Sequence, residues 1–149
     1  MVRVLVLHGP NLGHLGRREP DRYGTETLGE LDARIVAHGT ALGFDIDCRQ
    51  TNHEGVLIDW LLAGTADAVV MNAGALAHTS LALADAVRSI APTPVIEVHL
   101  TNTAARDEVR HTAIVGAACR ARLEGFGGDS YLLALDGLVR LLRRSGDER

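Results

Sequence analysis

Two small groups of residues in this chain have the types and spacing to move protons. The first lies in GPNLGHLGRREPDRYG (9–24), where Tyr23 follows Arg17, Arg18 and Arg22. The second is PVIEVHL (94–100), where Glu97 and His99 interrupt an apolar run. A phenol has a reference pKa of about 10, and neighbouring guanidinium groups favour its ionised form. Lowering that pKa by about 3 units takes about 4 kcal/mol. One exposed arginine does not supply this, whereas a closed, desolvated site with more than one does. Tyr23 is therefore a candidate general base. In an extended segment, period two puts Glu97 and His99 on the same face. Buried there, both cost desolvation unless paired. A carboxylate beside a histidine fixes its orientation and favours the protonated ring, which makes a general acid. The same two residues also suit a purely structural ion pair, and the strand alone does not choose.

Other polar groups cluster nearby in sequence. Asn11 sits in the opening loop. NAGALAHTS (72–80) offers Asn72 and His78, with Thr79 or Ser80 as a helix cap. Thr101 and Asn102 follow the apolar run, and Arg106 and Arg110, four apart, could share a helical face and bind an anion. A loop of arbitrary sequence with the composition of 9–24 is usually a solvated turn. Its length counts against that here, because βα loops mostly run about 2 to 6 residues. It reads as a phosphate cradle or as a cover carrying charge to a site.

Composition narrows the chemistry further. All 15 cationic side chains are arginine. Schiff-base catalysis through lysine and a phosphate loop ending in Gly-Lys-Ser/Thr are both excluded. The net charge of −4 argues against a nucleic-acid binder. Seven histidines lack the spacing of a zinc site, and Cys48 and Cys119 form neither a disulfide framework nor a metal motif. No stretch approaches a membrane span, and the first apolar run is short, without a basic leader. The expectation is a cytoplasmic protein in a reducing setting, with two buried thiols favoured over a geometrically possible disulfide.

These groups need a scaffold. VRVLVL (2–7) is apolar throughout, as in a strand covered on both faces of a parallel sheet. Thr27 and Glu30 form a capping-box pattern opening a helix that carries Leu28, Leu31, Ile35 and Leu42 and ends at Gly43. Further strands are expected at 44–48, 67–72 and 94–100, with an edge strand at 119–125. Helices are expected at about 53–63, from Leu81 to Ile90 and at about 130–143, with SGDER as a frayed tail. The polar segment TNTAARDEVRH predicts a loop with a short helix. Strands alternating with helices give an α/β fold: one domain over 1–149, doubly wound and flavodoxin-like, with a five-stranded parallel sheet. Ligands in such folds bind beyond the carboxyl ends of the strands, which selects the loops after Leu7, Met71 and Leu100. No Ser-His-Asp or Cys-His order stands out, so the three loops together read as acid–base chemistry on a small, oxygen-rich anion.

The motifs GPNLGHLGRREPDRYG, RQTNHEG, NAGALAHTS, IEVHLTN followed by AAR and VRH, and GFGGDSYLLAL occur in one order along nearly the whole chain. In this the sequence resembles the type II 3-dehydroquinate dehydratases. The resemblance implies dehydration of 3-dehydroquinate to 3-dehydroshikimate in the shikimate or quinate pathway, without metal, cofactor or Schiff base. It implies Tyr23 as base with Arg18 lowering its pKa, Asn11 supporting the enolate through a water, and His99 as acid with Glu97 orienting it. It also implies that Asn72, His78, Leu100 (through its backbone), Thr101 and Arg110 hold the substrate, and that residues 9–24 form a lid. Asp85 resembles a residue inserted into a neighbouring subunit's site, within a dodecamer built as a tetramer of trimers. The chain departs from the family pattern at Thr51 and Thr101, where serine is common, at RHTAI in place of RHHSY, and at ARLEGFG, which is more charged than the usual apolar strand. Two rival readings are a flavodoxin-like nucleotide- or phosphate-binding module and a catalytically inactive assembly protein.

Overall fold

The structure, a computed structural model, describes residues 1–17 and 19–147, and the backbone alone for Pro20, Tyr23 and Asp147. Five strands, β1 (Val2–His8), β2 (Phe44–Gln50), β3 (Ala68–Asn72), β4 (Val95–His99) and β5 (Ala121–Glu124), pair in parallel in the order β2-β1-β3-β4-β5. This is the flavodoxin-like order. It reverses between β1 and β3, opening a crevice at their carboxyl ends. The helices are α1 (Pro20–Tyr23), α2 (Leu28–Ala41), α3 (Glu54–Leu62), α4 (Leu81–Ser89) and α5 (Asp129–Asp147).

Alternation along the strands divides the core between the two faces of the sheet. Val4, Val6, Val70, Ile96 and Val98 pack with Leu31 and Ile35 of α2 and with Tyr131, Leu135 and Leu138 of α5. Leu5, Leu7, Val69, Met71 and Val95 pack with Leu57 and Leu61 of α3 and with Leu83 and Val87 of α4. The three central strands are buried on both faces, which explains their continuous apolar sequence. The capping box forms at Thr27 and Glu30, and Ser80 caps α4 by accepting from the Leu83 N–H at 2.9 Å.

Four expectations need correction. The last helix continues to Asp147, so Ser145 to Asp147 are helical rather than frayed, while Glu148 and Arg149 lie outside the described residues. The segment after β4 forms two separate 3-10 turns, Thr103–Ala105 and Glu108–His111. Arg106 and Arg110 therefore do not share one helical face. β5 is shorter than 119–125. The cysteines are unpaired and half-buried rather than fully buried. Cys48 packs on the α2/α5 side and Cys119 on the α3/α4 side, so the sheet lies between them.

Candidate active site

The loop after β1 turns at once because its backbone passes against the loop after β3. A Cβ at Gly9 would lie 2.8 Å from the Ala73 carbonyl carbon, so a side chain has no room there. Asn11 then takes the left-handed conformation (φ 70°), which asparagine tolerates. The RQTN stretch braces this loop from β2. The Asn11 N–H donates to Asn52 Oδ1 at 3.0 Å, and Gln50 Nε2 donates to the Gly9 carbonyl at 3.3 Å. At the far end of the loop, Glu26 is gripped by the Arg34 guanidinium at 2.7 and 2.9 Å, and Arg34 also reaches Asp129 at 2.7 Å. Both ends are thus tied to the sheet and helices. Arg18 lies outside the described residues, as does the side chain of Tyr23.

Asn72 ends β3 and is buried, its Oδ1 accepting from the Gly74 N–H at 3.1 Å. Behind it runs a chain of polar groups, buried except at Asp32. Asp32 Oδ1 lies 2.7 Å from His8 Nε2, and His8 Nδ1 lies 2.8 Å from the Tyr131 hydroxyl. Burial pushes the Tyr131 phenol above the usual tyrosine range, and a hydrogen bond with Asn72 offsets this in part. Tyr131 keeps its proton and cannot serve as a base near neutral pH. Asp32, His8 and Cys48 bring donor atoms within 4.8 Å of one another, but both His8 nitrogens are already engaged in this chain.

His78, in the 3-10 turn Gly74–His78, donates from Nδ1 to the Thr112 carbonyl at 2.8 Å, which fixes its tautomer. Its ring stacks on His99, with centroids 5.9 Å apart and planes 17° from parallel. Glu97 is 0% exposed, and its Oε2 lies 3.5 Å from His99 Nε2, an ion-pair distance rather than a short hydrogen bond. Arg122 of β5 donates from Nε to the same oxygen at 2.6 Å. Burial works to raise the Glu97 carboxyl, but the adjacent His99 and then Arg122 outweigh it and hold the group below the usual glutamate range. The loop after β5 closes around the end of β4: the Gly125 N–H donates to the His99 carbonyl at 3.2 Å, and that of Gly127 to the Leu100 carbonyl at 2.9 Å.

Asn11, Asn72, His78, His99, Leu100, Thr101, Arg106 and Arg110 line one pocket at the carboxyl ends of β1, β3 and β4, whose wall also includes Leu12, Leu15 and Thr103. The three loops chosen from the sequence thus converge. Glu97 stands behind His99 rather than on the pocket wall. Asp85 is not brought to this pocket. It projects from α4 with its side chain 77% exposed, 3.4 Å from Arg88.

The sequence and the fold both match proteins of known class. Residues 2–139 match the family model described as dehydroquinase class II. The chain belongs to the class II dehydroquinases. The 3-dehydroquinate dehydratase of Rhizobium etli is 50% identical over 140 residues, covering 93% of this chain and 96% of its own. That of Thermus thermophilus is 50% identical over 147 residues, covering 97% and 98%. The crystal structure of the type II dehydroquinase from Propionibacterium acnes superposes with a TM-score of 0.89 at 43% identity, covering 94% of this chain and 97% of that one. Among the described residues of this dehydroquinase, no helix is long and apolar enough to cross a membrane.

Sequence reasoning missed Arg122 and Glu124. The signal was present: ARLE alternates, which sets both charges on one face of an edge strand. What was missing was the register. β5 pairs with β4 so that Arg122 meets Glu97 and Glu124 meets His99.

Proposed function

We propose that this chain dehydrates 3-dehydroquinate to 3-dehydroshikimate and water by acid–base catalysis through an enolate. The observation that carries the reading is the backing of His99 by the buried Glu97 at a pocket lined by amides, hydroxyls and guanidinium groups. Such a lining suits a small substrate bearing a carboxylate and several hydroxyls. Tyr23, as phenolate, takes the proton alpha to the ketone. The electrons move onto the ketone oxygen as an enolate, which Asn11 supports through a water. When they return, the carbon–oxygen bond of the beta hydroxyl breaks, the carbon–carbon double bond forms, and His99 supplies the proton with which the hydroxyl leaves as water. Solvent then restores both groups.

Arg18 lowers the Tyr23 pKa, Glu97 orients His99, and Asn72, His78, Leu100 (through its backbone), Thr101 and Arg110 hold the substrate. The chain contains two tyrosines, and the proton-retaining environment of Tyr131 leaves Tyr23 as the phenol suited to the base. Residues 9–24 act as the lid. Asp85 reaches a neighbouring subunit's site within a dodecamer of four trimers, and the enzyme works in the cytoplasm in the shikimate or quinate pathway. The family match disfavours the nucleotide-binding alternative.

The product is a conjugated enone, so its appearance is followed by ultraviolet absorbance. Tyr23→Phe keeps the ring and deletes the hydroxyl. It should abolish turnover while product binding persists in calorimetry. A near-normal kcat in that variant would remove Tyr23 from the mechanism.

A further inference from the structure

One oxygen of Glu97 faces two basic side chains. Glu97 Oε2 receives the Arg122 Nε–H at 2.6 Å and lies 3.5 Å from His99 Nε2. The Arg122 head is steadied by Glu124 Oε2 at 3.2 Å, and Glu124 in turn accepts from the Thr103 hydroxyl at 3.0 Å. Arg122 touches the carboxylate from the edge strand, and it does not line the pocket. Among the described residues, Glu97 Oε1 has no hydrogen-bond partner.

A buried carboxylate without a counter-charge is strongly unfavourable. With His99 as its sole partner, Glu97 would be stranded each time His99 gave up its proton, and the imidazole would hold that proton accordingly. A guanidinium stays protonated throughout the working pH range. With Arg122 in place, Glu97 remains paired whether the His99 ring is charged or neutral.

We propose that Arg122 is a positioning residue for acid chemistry at His99: it keeps Glu97 paired when the imidazole is neutral, and so lets His99 release its proton at lower pH than a lone Glu97–His99 couple would. The proposal rests on the reading of His99 as the acid. The other charged or titratable groups facing His99 are His78, stacked on its ring, Glu124 opposite it on β5, and Arg106 and Arg110 around the pocket. All four side chains are retained in the variants, where Glu124 loses its Arg122 partner along with Glu97.

The test measures His99 directly. Exchange of the imidazole C2 proton for deuterium, followed peptide by peptide by mass spectrometry across pH, gives the His99 titration midpoint in the intact assembled enzyme. In Arg122→Met the midpoint should rise by about 1 pH unit or more, the usual effect of an opposite charge no longer shared. The basic limb of kcat should rise with it, and kcat at the plateau should fall by up to about tenfold for each pH unit by which the midpoint rises. Arg122→Lys, which keeps the charge, should restore the parent midpoint and rate. Should the methionine variant fail to fold, Arg122→Gln, which removes the charge and keeps a donor, should show the same upward movement. An unchanged His99 midpoint in the folded Met or Gln variant overturns the proposal. A midpoint that moves while the basic limb of kcat stays in place supports the pairing and overturns the assignment of His99 as the acid.

Discussion

General acid catalysis contributes about 10²–10⁴-fold, which sets the expected loss on His99→Ala. A loss below about tenfold, in a kcat measured at saturating substrate, would reduce His99 to a binding residue. Glu97→Gln should cost less, since the amide still holds the ring but carries no charge. Glu97 also links stability to pH. Its carboxyl in the folded protein lies below the ordinary value of 4.5. A depressed pKa contributes stability that is present above the unfolded value and is lost as pH falls through the folded value. Urea midpoints should therefore drop for the parent below about pH 4.5 and drop less steeply for Glu97→Gln. An equal drop in both would show that Glu97 carries no acid-linked stability. At this scale the glutamate–histidine pair was legible, because period two alone places both side chains on one face. Arg122 was not, because which residue of one strand sits beside which of the next is decided by packing between distant segments.

At the scale of elements, the 3-10 turn Gly116–Ala118 leads into β5 and passes over the same carboxylate. A Cβ on Gly116 would lie 2.6 Å from Arg122 Cδ and 2.7 Å from Glu97 Oε2. Gly116→Ala forces these atoms to shift and is expected to push the guanidinium and carboxylate apart. It should move the basic limb of the kcat profile upward, in the direction expected for Arg122→Met, although residue 116 touches no substrate. A profile superimposable on the parent would mean the pair accommodates a methyl without separating. The strands and long helices were readable because each repeats an apolar period over many residues and begins at a cap such as Thr27. The segment from Thr101 to Ala118 was not. Its backbone is a series of short turns held by bonds such as Val115 N–H to the Ala77 carbonyl, 3.1 Å, and no local period encodes a partner from another loop.

For the whole molecule, Asp85 is exposed on α4, its carboxylate held only by Arg88 of its own helix among the described residues, which suits the proposed reach to another subunit. On the proposed shared site, Asp85→Ala should lower activity more than it lowers the melting temperature, and turnover should fall on dilution. Light scattering and turnover measured on one sample decide this, and a fully active monomer would dismiss the shared site.

The division of the core by the sheet has a consequence for watching this protein come apart. Each face carries one cysteine, Cys48 on one side and Cys119 on the other. Burial pushes the Cys119 thiol up to about 12, and it raises Cys48 as well. Both thiols react slowly until their surroundings open. The chain thus carries two built-in reporters, one for each side of the sheet. Alkylation resolved by peptide mass should label both at one rate if the two sides open together, and at two rates if one layer of helices lifts off while the other holds.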